Sequence, residues 1–92
     1  MGRQRRPQPK YLAKKLKAIR EELGIGQLEM SKRLSKCGPK LDGAKVSKLE
    51  RGEREPNLLE IVAYCDMAQI NASVLIDDSW SIGELVKEMR RR

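Results

Sequence analysis

Most side chains in this sequence that could bind a ligand are cationic. Lys45, Lys48 and Arg51 fall close together in one short segment. Ammonium and guanidinium groups donate hydrogen bonds to phosphate oxygens, so such a segment is typical of a polyanion-binding surface. The chain has no His, the commonest general base, and Cys37 and Cys65 are too few for a Cys/His zinc site. We therefore expect a binding protein with no metal or cofactor, and not an enzyme.

Charge is distributed unevenly along the chain. The 92 residues carry 20 Lys and Arg against 13 Asp and Glu, a net charge of +7. Residues 1–52 sum to +10, residues 53–86 to −6 and residues 87–92 to +3. This asymmetry favours one face that binds polyanions and another that is turned away from them. A solvated, charge-rich surface with no ligand is the alternative.

Size and composition predict one small domain with an aliphatic core. Aromatic residues make up only 3 % of the chain, and Phe is absent. Two isolated cysteines argue against a secreted disulfide scaffold. The apolar runs are too short to span a membrane, and none follows the basic N-terminus as in a signal peptide. We expect a reduced, intracellular protein.

In the N-terminal half of the chain, the spacing of apolar residues, Gly and Pro predicts an arm and three helices. Residues 1–9 have two prolines and no apolar residue after Met1, which indicates a disordered basic arm. A first helix ends at Gly24, and its apolar residues recur at steps of four, three and four: Leu12, Leu16, Ile19 and Leu23. A short second helix and a loop over residues 35–41 follow, and Asp42 is the expected N-cap of the third helix.

Three further helices are predicted in the C-terminal half. Asn57 opens the fourth, with these expected core positions: Leu58, Ile61, Val62 and Cys65. Asn71 caps a short fifth helix, and Ser81 and Glu84 have the capping-box spacing at the start of a sixth, where Trp80 would pack on Leu85. The expected class is all-α, with an arm at residues 1–9, a helical domain at 10–78 and a C-terminal amphipathic helix at 79–92.

Three segments then occur in a fixed order: residues 16–24 (LKAIREELG), 27–30 (QLEM) and 46–56 (VSKLERGEREP). This arrangement resembles the phage repressor and Cro-type (XRE-like) helix-turn-helix family over residues 16–76. The resemblance implies a five-helix bundle in which the second and third helices read double-stranded DNA. The connection between these two helices is several residues longer than is usual in the family.

By this resemblance, helix 3 enters the major groove. The side chains offered to the bases are Gly43, Ala44, Lys45, Ser47 and Lys48. Lys45 or Lys48 would donate to guanine, and Ala44 would contact a thymine methyl group. For both lysines, phosphate contact or simple solvation is the alternative. Gly43 and Ala44 offer no hydrogen bond to a base.

The resemblance also assigns residues to the DNA backbone and to the scaffold. Gln27, at the start of helix 2, would bind a phosphate. Arg20 and Glu50 would form a partly buried ion pair that orients Arg51 as a phosphate clamp. Arg54, in the turn before Pro56, would reach a backbone or a minor groove.

Further cations extend this expected surface. Lys36 and Lys40 would add backbone contacts from the loop between helices 2 and 3. Arg3, Arg5 and Arg6 of the arm would follow phosphates or enter an A·T-rich minor groove; a solubilising tail is the alternative.

Helix 6 lies beyond the usual five helices, and three destinations are open for its apolar face: its own bundle, a second copy, or a partner protein. The residues proposed for a dimer or partner contact are Leu59, Tyr64, Trp80, Ile82, Leu85, Val86 and Met89. A two-fold homodimer would read an inverted repeat.

The leading interpretation is a DNA-binding transcriptional regulator, most often a repressor, that is cytoplasmic, nucleoid-associated and bacterial or phage-encoded. An antitoxin-like or adaptor protein, whose C-terminal helix binds another protein, is the alternative. A non-specific or RNA-binding module is a third reading, disfavoured because few aromatic residues are present to stack on bases.

Overall fold

A computed structural model describes residues 9–91 as six helices with no strand, so the predicted all-α class is confirmed. None of these helices has the length and apolar content that crossing a bilayer requires. The helices are α1 (Leu12–Leu23), α2 (Gln27–Lys36), α3 (Gly43–Glu50), α4 (Leu58–Ala68), α5 (Ala72–Ile76) and α6 (Ile82–Arg90).

Helix α1 is the central element, because it contacts α3, α4, α5 and α6. Its predicted stripe is confirmed: Leu12, Leu16 and Ile19 are buried, and Leu23 packs against the same core. Gly24 ends the helix in the left-handed region, at φ 72°, which a side chain would disfavour. The buried core is aliphatic apart from one tyrosine.

Three helices begin at residues whose side chains bond the first turn. Asp42 accepts a hydrogen bond from the Lys45 N–H at 2.8 Å, as predicted. Capping boxes join Ser81 to Glu84, as predicted, and Asn57 to Glu60. Asn71 occupies the N-cap position of α5, as predicted, but its side chain makes no capping hydrogen bond.

Helix α4 is rotated relative to the predicted core stripe. Leu58 is 76 % exposed and Val62 46 % exposed, whereas Tyr64 is completely buried. Tyr64 therefore offers no surface to a second chain, and its proposed contact role is wrong. The rotation brings Glu60 into the interior, where it closes its capping box and pairs with Arg54 at 2.9 Å. A pattern of apolar residues cannot predict a partly buried ion pair of this kind.

Helix α6 folds back on α1, the first of its three expected destinations. Leu85 is completely buried and belongs to the core, so it is unavailable to a partner and that expectation is corrected. Arg90 donates to Glu22 of α1 at 2.7 Å. Of the other apolar residues at this end, three are partly buried against the core: Trp80, Val86 and Met89. Ile82 is half-exposed.

A lysine that sequence reasoning missed joins α1 to the end of α5. Lys15 is completely buried, and its Nζ donates to the carbonyl oxygens of Val74 at 3.0 Å and Asp77 at 2.9 Å. Burial lowers the pKa of Lys15, and the nearby acidic side chains, first among them Asp78, oppose that shift. Asp78 in turn accepts from the backbone N–H of Lys10 at 2.9 Å.

We expect Lys15→Ala to destabilise the fold by about 3 kcal/mol, because it removes the donor to the buried Val74 carbonyl together with a buried aliphatic stem. Lys14→Ala is the matched control, since Lys14 is exposed one position away on the same helix. Urea unfolding would measure both. Equal midpoints for the two variants would contradict the structural role of Lys15.

Candidate nucleic-acid interface

A buried carboxylate joins the first three helices. Glu50, at the end of α3, accepts from Arg20 Nε at 2.7 Å and from Arg20 Nη2 at 3.1 Å, which confirms the predicted ion pair. Gln27 Nε2, at the start of α2, donates to the same carboxylate at 3.1 Å. Arg20 also donates to the carbonyl of Ile25 at 2.9 Å. The hydrogen bond with Glu50 raises the pKa of Arg20, so the guanidinium stays charged.

Helix α3 turns its two sides to different surroundings. Val46 and Leu49 are buried in the core, as predicted. Ala44, Lys45 and Lys48 are exposed on the opposite side. Gly43 and Ser47 are half-exposed at its margin. The five residues predicted to face the bases thus lie on the part of α3 that solvent reaches.

The connection between α2 and α3 is held at several points despite its length. Ser35 Oγ donates to the Leu41 carbonyl at 3.2 Å and accepts from the Leu41 N–H at 3.4 Å. Pro39 is buried, and Gly38, at φ 129°, approaches Leu59 so closely that an added Cβ would lie 3.4 Å from its Cδ1. The predicted backbone contacts of this region, Lys36 and Lys40, are both exposed.

Arg51 is oriented by different partners from those predicted. Its guanidinium donates to Glu53 at 2.8 and 3.2 Å and to Ser47 Oγ at 2.9 Å. Arg20 and Glu50 pair with each other as expected, but Glu53 and Ser47 set the direction of the Arg51 side chain, so the expectation that the pair orients it is corrected. A phosphate that binds Arg51 competes with Glu53 for the guanidinium.

Arg54 is part of the scaffold. It pairs with Glu60, whose side chain is only 2 % exposed, while Arg54 Nη1 is buried without a hydrogen-bond partner. Swinging Arg54 towards a DNA backbone would strand a buried carboxylate, which is costly. The expectation that Arg54 reaches DNA is corrected on this ground. Tyr64 Oη also lies buried without a hydrogen-bond partner, and burial raises the pKa of its hydroxyl.

Arginines and lysines are used differently over residues 9–91. Every arginine in that range forms an ion pair: Arg20, Arg33, Arg51, Arg54, Arg90 and Arg91. No lysine there does. The unpaired positive charge therefore belongs to lysines, and it includes Lys10, Lys14 and Lys17, which sequence reasoning missed. The signal was present, since these three fall outside the apolar stripe of α1.

Arg3, Arg5 and Arg6 lie outside the described residues. The chain enters the described part at Pro9, which lines a cavity of about 190 Å³ together with Gly52, in the turn after α3. Pro9 thus lies beside the turn that follows α3.

We expect Glu50→Gln to cost about 3 kcal/mol of stability, because it leaves the partly buried Arg20 without its counter-charge. Arg20→Met should cost a similar amount. The double variant should cost clearly less than the sum, a coupling of roughly 1.5 kcal/mol or more. Denaturant unfolding of the three variants measures this, and additive losses would exclude a coupled pair.

Residues 9–91 contain no group of three or more His, Cys, Asp or Glu side chains placed to hold a metal ion. No family model, curated protein or solved structure matches this chain.

Proposed function

We propose that this chain is a sequence-specific double-stranded DNA-binding regulator of transcription, acting as a repressor that occupies its operator. In this proposal α2 and α3 form a helix-turn-helix unit, and α3 enters the major groove. The observation that carries it is the Glu50 cluster with Arg20 and Gln27, which ties α3 to α1 and α2 while Lys45 and Lys48 remain exposed and unpaired. A rigidly held helix with free cations on its outer face suits groove recognition.

Base recognition would depend on few side chains. Lys45 and Lys48 have no carboxylate to release before donating to guanine O6 and N7. Ala44 supports contact with a thymine methyl group, since it is exposed and apolar. Ser47 Oγ accepts from Arg51 and keeps its own proton for a base or a phosphate.

The start of α2 supports a phosphate contact. Its N-cap is Gly26, which has no side chain to occupy the first backbone N–H groups. The Gln27 side chain donates to Glu50, so only one of its two amide hydrogens remains for DNA. In this proposal the backbone N–H groups of α2 bind the phosphate, and Gln27 chiefly fixes the direction of the helix end.

Exposed apolar residues support a dimer through α4. Leu58, Leu59 and Val62 are 76, 51 and 46 % exposed on neighbouring positions of this helix. Water-exposed apolar side chains that adjoin one another are typical of an interaction surface. A two-fold dimer would place two α3 helices about 34 Å apart on one side of the duplex. The adaptor alternative receives less support, because α6 already buries Leu85 against its own bundle.

Selection from a random duplex library at near-physiological salt tests this proposal. We expect an inverted repeat with half-sites about one helical turn apart. Recovery of no preferred sequence would contradict sequence-specific regulation.

We expect Lys45→Ala with Lys48→Ala to abolish the preference for the selected sequence over random DNA, because the variant removes the free donors of α3. Deleting residues 1–9 is the control, and it should weaken binding to both duplexes about equally. Fluorescence anisotropy with each duplex measures the ratio of affinities. If the lysine variant lost affinity equally for both, α3 would not be the reading helix.

A further inference from the structure

We propose that Lys10, Lys14 and Lys17, together called the α1 lysine row, form a second contact with the phosphate backbone of the same duplex, alongside α3. This inference rests on the proposed function and adds a surface to it. The row belongs to none of the elements expected to touch DNA. Its partner is the duplex backbone itself, so the contact adds affinity without reading sequence.

The row is a continuous strip of free positive charge. Lys14 and Lys17 lie on α1 about 60° apart around its axis, and Lys10 lies in the turn before it. All three are exposed, and none forms an ion pair within the described chain. The row spans about 10 Å at the helical rise per residue. That length matches about three successive phosphates, which follow one another at roughly 3.4 Å along the axis of a strand.

The row borders the end of α3. Ala13, on the same turn of α1, lies against Gly52, where an added Cβ would approach its side chain to 3.7 Å. Lys10 and Ala13 line one cavity with Leu49 and Gly52. Arg20, one turn beyond Lys17, is bonded to Glu50. A duplex seated on α3 therefore runs close to this side of α1.

Because these lysines form no ion pair with the protein, they are available to bind the phosphates of a duplex. An arginine already paired with a carboxylate has to break that pair before it binds another anion, whereas an unpaired ammonium releases only counterions. Two acidic side chains belong to α1. Glu22 is bonded to Arg90 of α6 and lies about 140° from Lys17 around the helix, whereas Glu21 is exposed about 40° from Lys17, one turn beyond the row. With Glu21 counted, three lysines against one glutamate leave the exposed strip with an excess of two positive charges.

The test compares two variants of the full chain with equal net charge. The first carries Lys10→Gln, Lys14→Gln and Lys17→Gln; the control carries Lys87→Gln, Arg91→Gln and Arg92→Gln near the C-terminal end. Both remove three positive charges from the net +7. Binding to a fluorescent random-sequence duplex is measured over a range of salt. We expect the first variant to reduce the slope of log K against log salt by about 2 to 3, with affinity at least about tenfold weaker near 0.1 M salt.

The control variant should keep most of the wild-type slope. Equal slopes for the two variants, or an unchanged slope for the first, would overturn the α1 contact while leaving the proposed function intact. Wild-type protein that bound no duplex at all would overturn the proposed function and this inference with it.

A second measurement on unaltered protein removes any dependence on how the variants fold. Lysine acetylation is read by mass spectrometry with and without the same duplex. We expect DNA to protect Lys10, Lys14 and Lys17, and to leave Lys87 as reactive as in free protein. Unchanged reactivity of the row in the presence of bound DNA would exclude the contact.

Discussion

The buried carboxylate of Glu50 constrains the arrangement of the first three helices. A charge removed from water needs partners, and here they come from Arg20 on α1 and Gln27 at the start of α2. Each partner is held at hydrogen-bonding distance, so the end of α3 is fixed relative to both other helices. Val46 and Leu49 then fill the core from the inner side of α3. The outer side remains free to contact a ligand, while the helix that carries it has little freedom to move.

Arginine and lysine side chains have different partners in this structure because they bind anions differently. A guanidinium matches a carboxylate with two parallel donors, and Arg20 and Arg51 both use this geometry. Lysine presents a single hydrated charge on a flexible stem and gains less from such pairing. Between residues 9 and 91, Arg20 and Arg54 pair with buried carboxylates of the scaffold, and the exposed lysines supply the free charge. A positive composition therefore indicates where free positive charge lies only after the paired arginines have been set aside.

Helix α1 packs against helices from both halves of the chain, including α3, α5 and α6. One of its sides is bonded to α3 through Arg20, and Lys15 reaches the end of α5 from another. Helix α6 closes the third side with buried Leu85 and the pair between Arg90 and Glu22. Together these contacts leave a single exposed strip along α1. The C-terminal helix is thus a structural part of the bundle. Of the six exposed large apolar residues in the described part of the chain, three adjoin one another on α4: Leu58, Leu59 and Val62.

The sequence by itself determined the helices, because apolar spacing, N-caps such as Asp42 and stops such as Gly24 act within one or two turns. The motif also predicted the pair between Arg20 and Glu50. Only the tertiary structure decided which side of α4 faces the core and that Lys15 is buried, since the carbonyls that Lys15 binds lie 59 and 62 residues further along the chain. A polar group can be buried only where a hydrogen-bonding partner is available. When that partner lies far away in the chain, the local sequence pattern does not predict it.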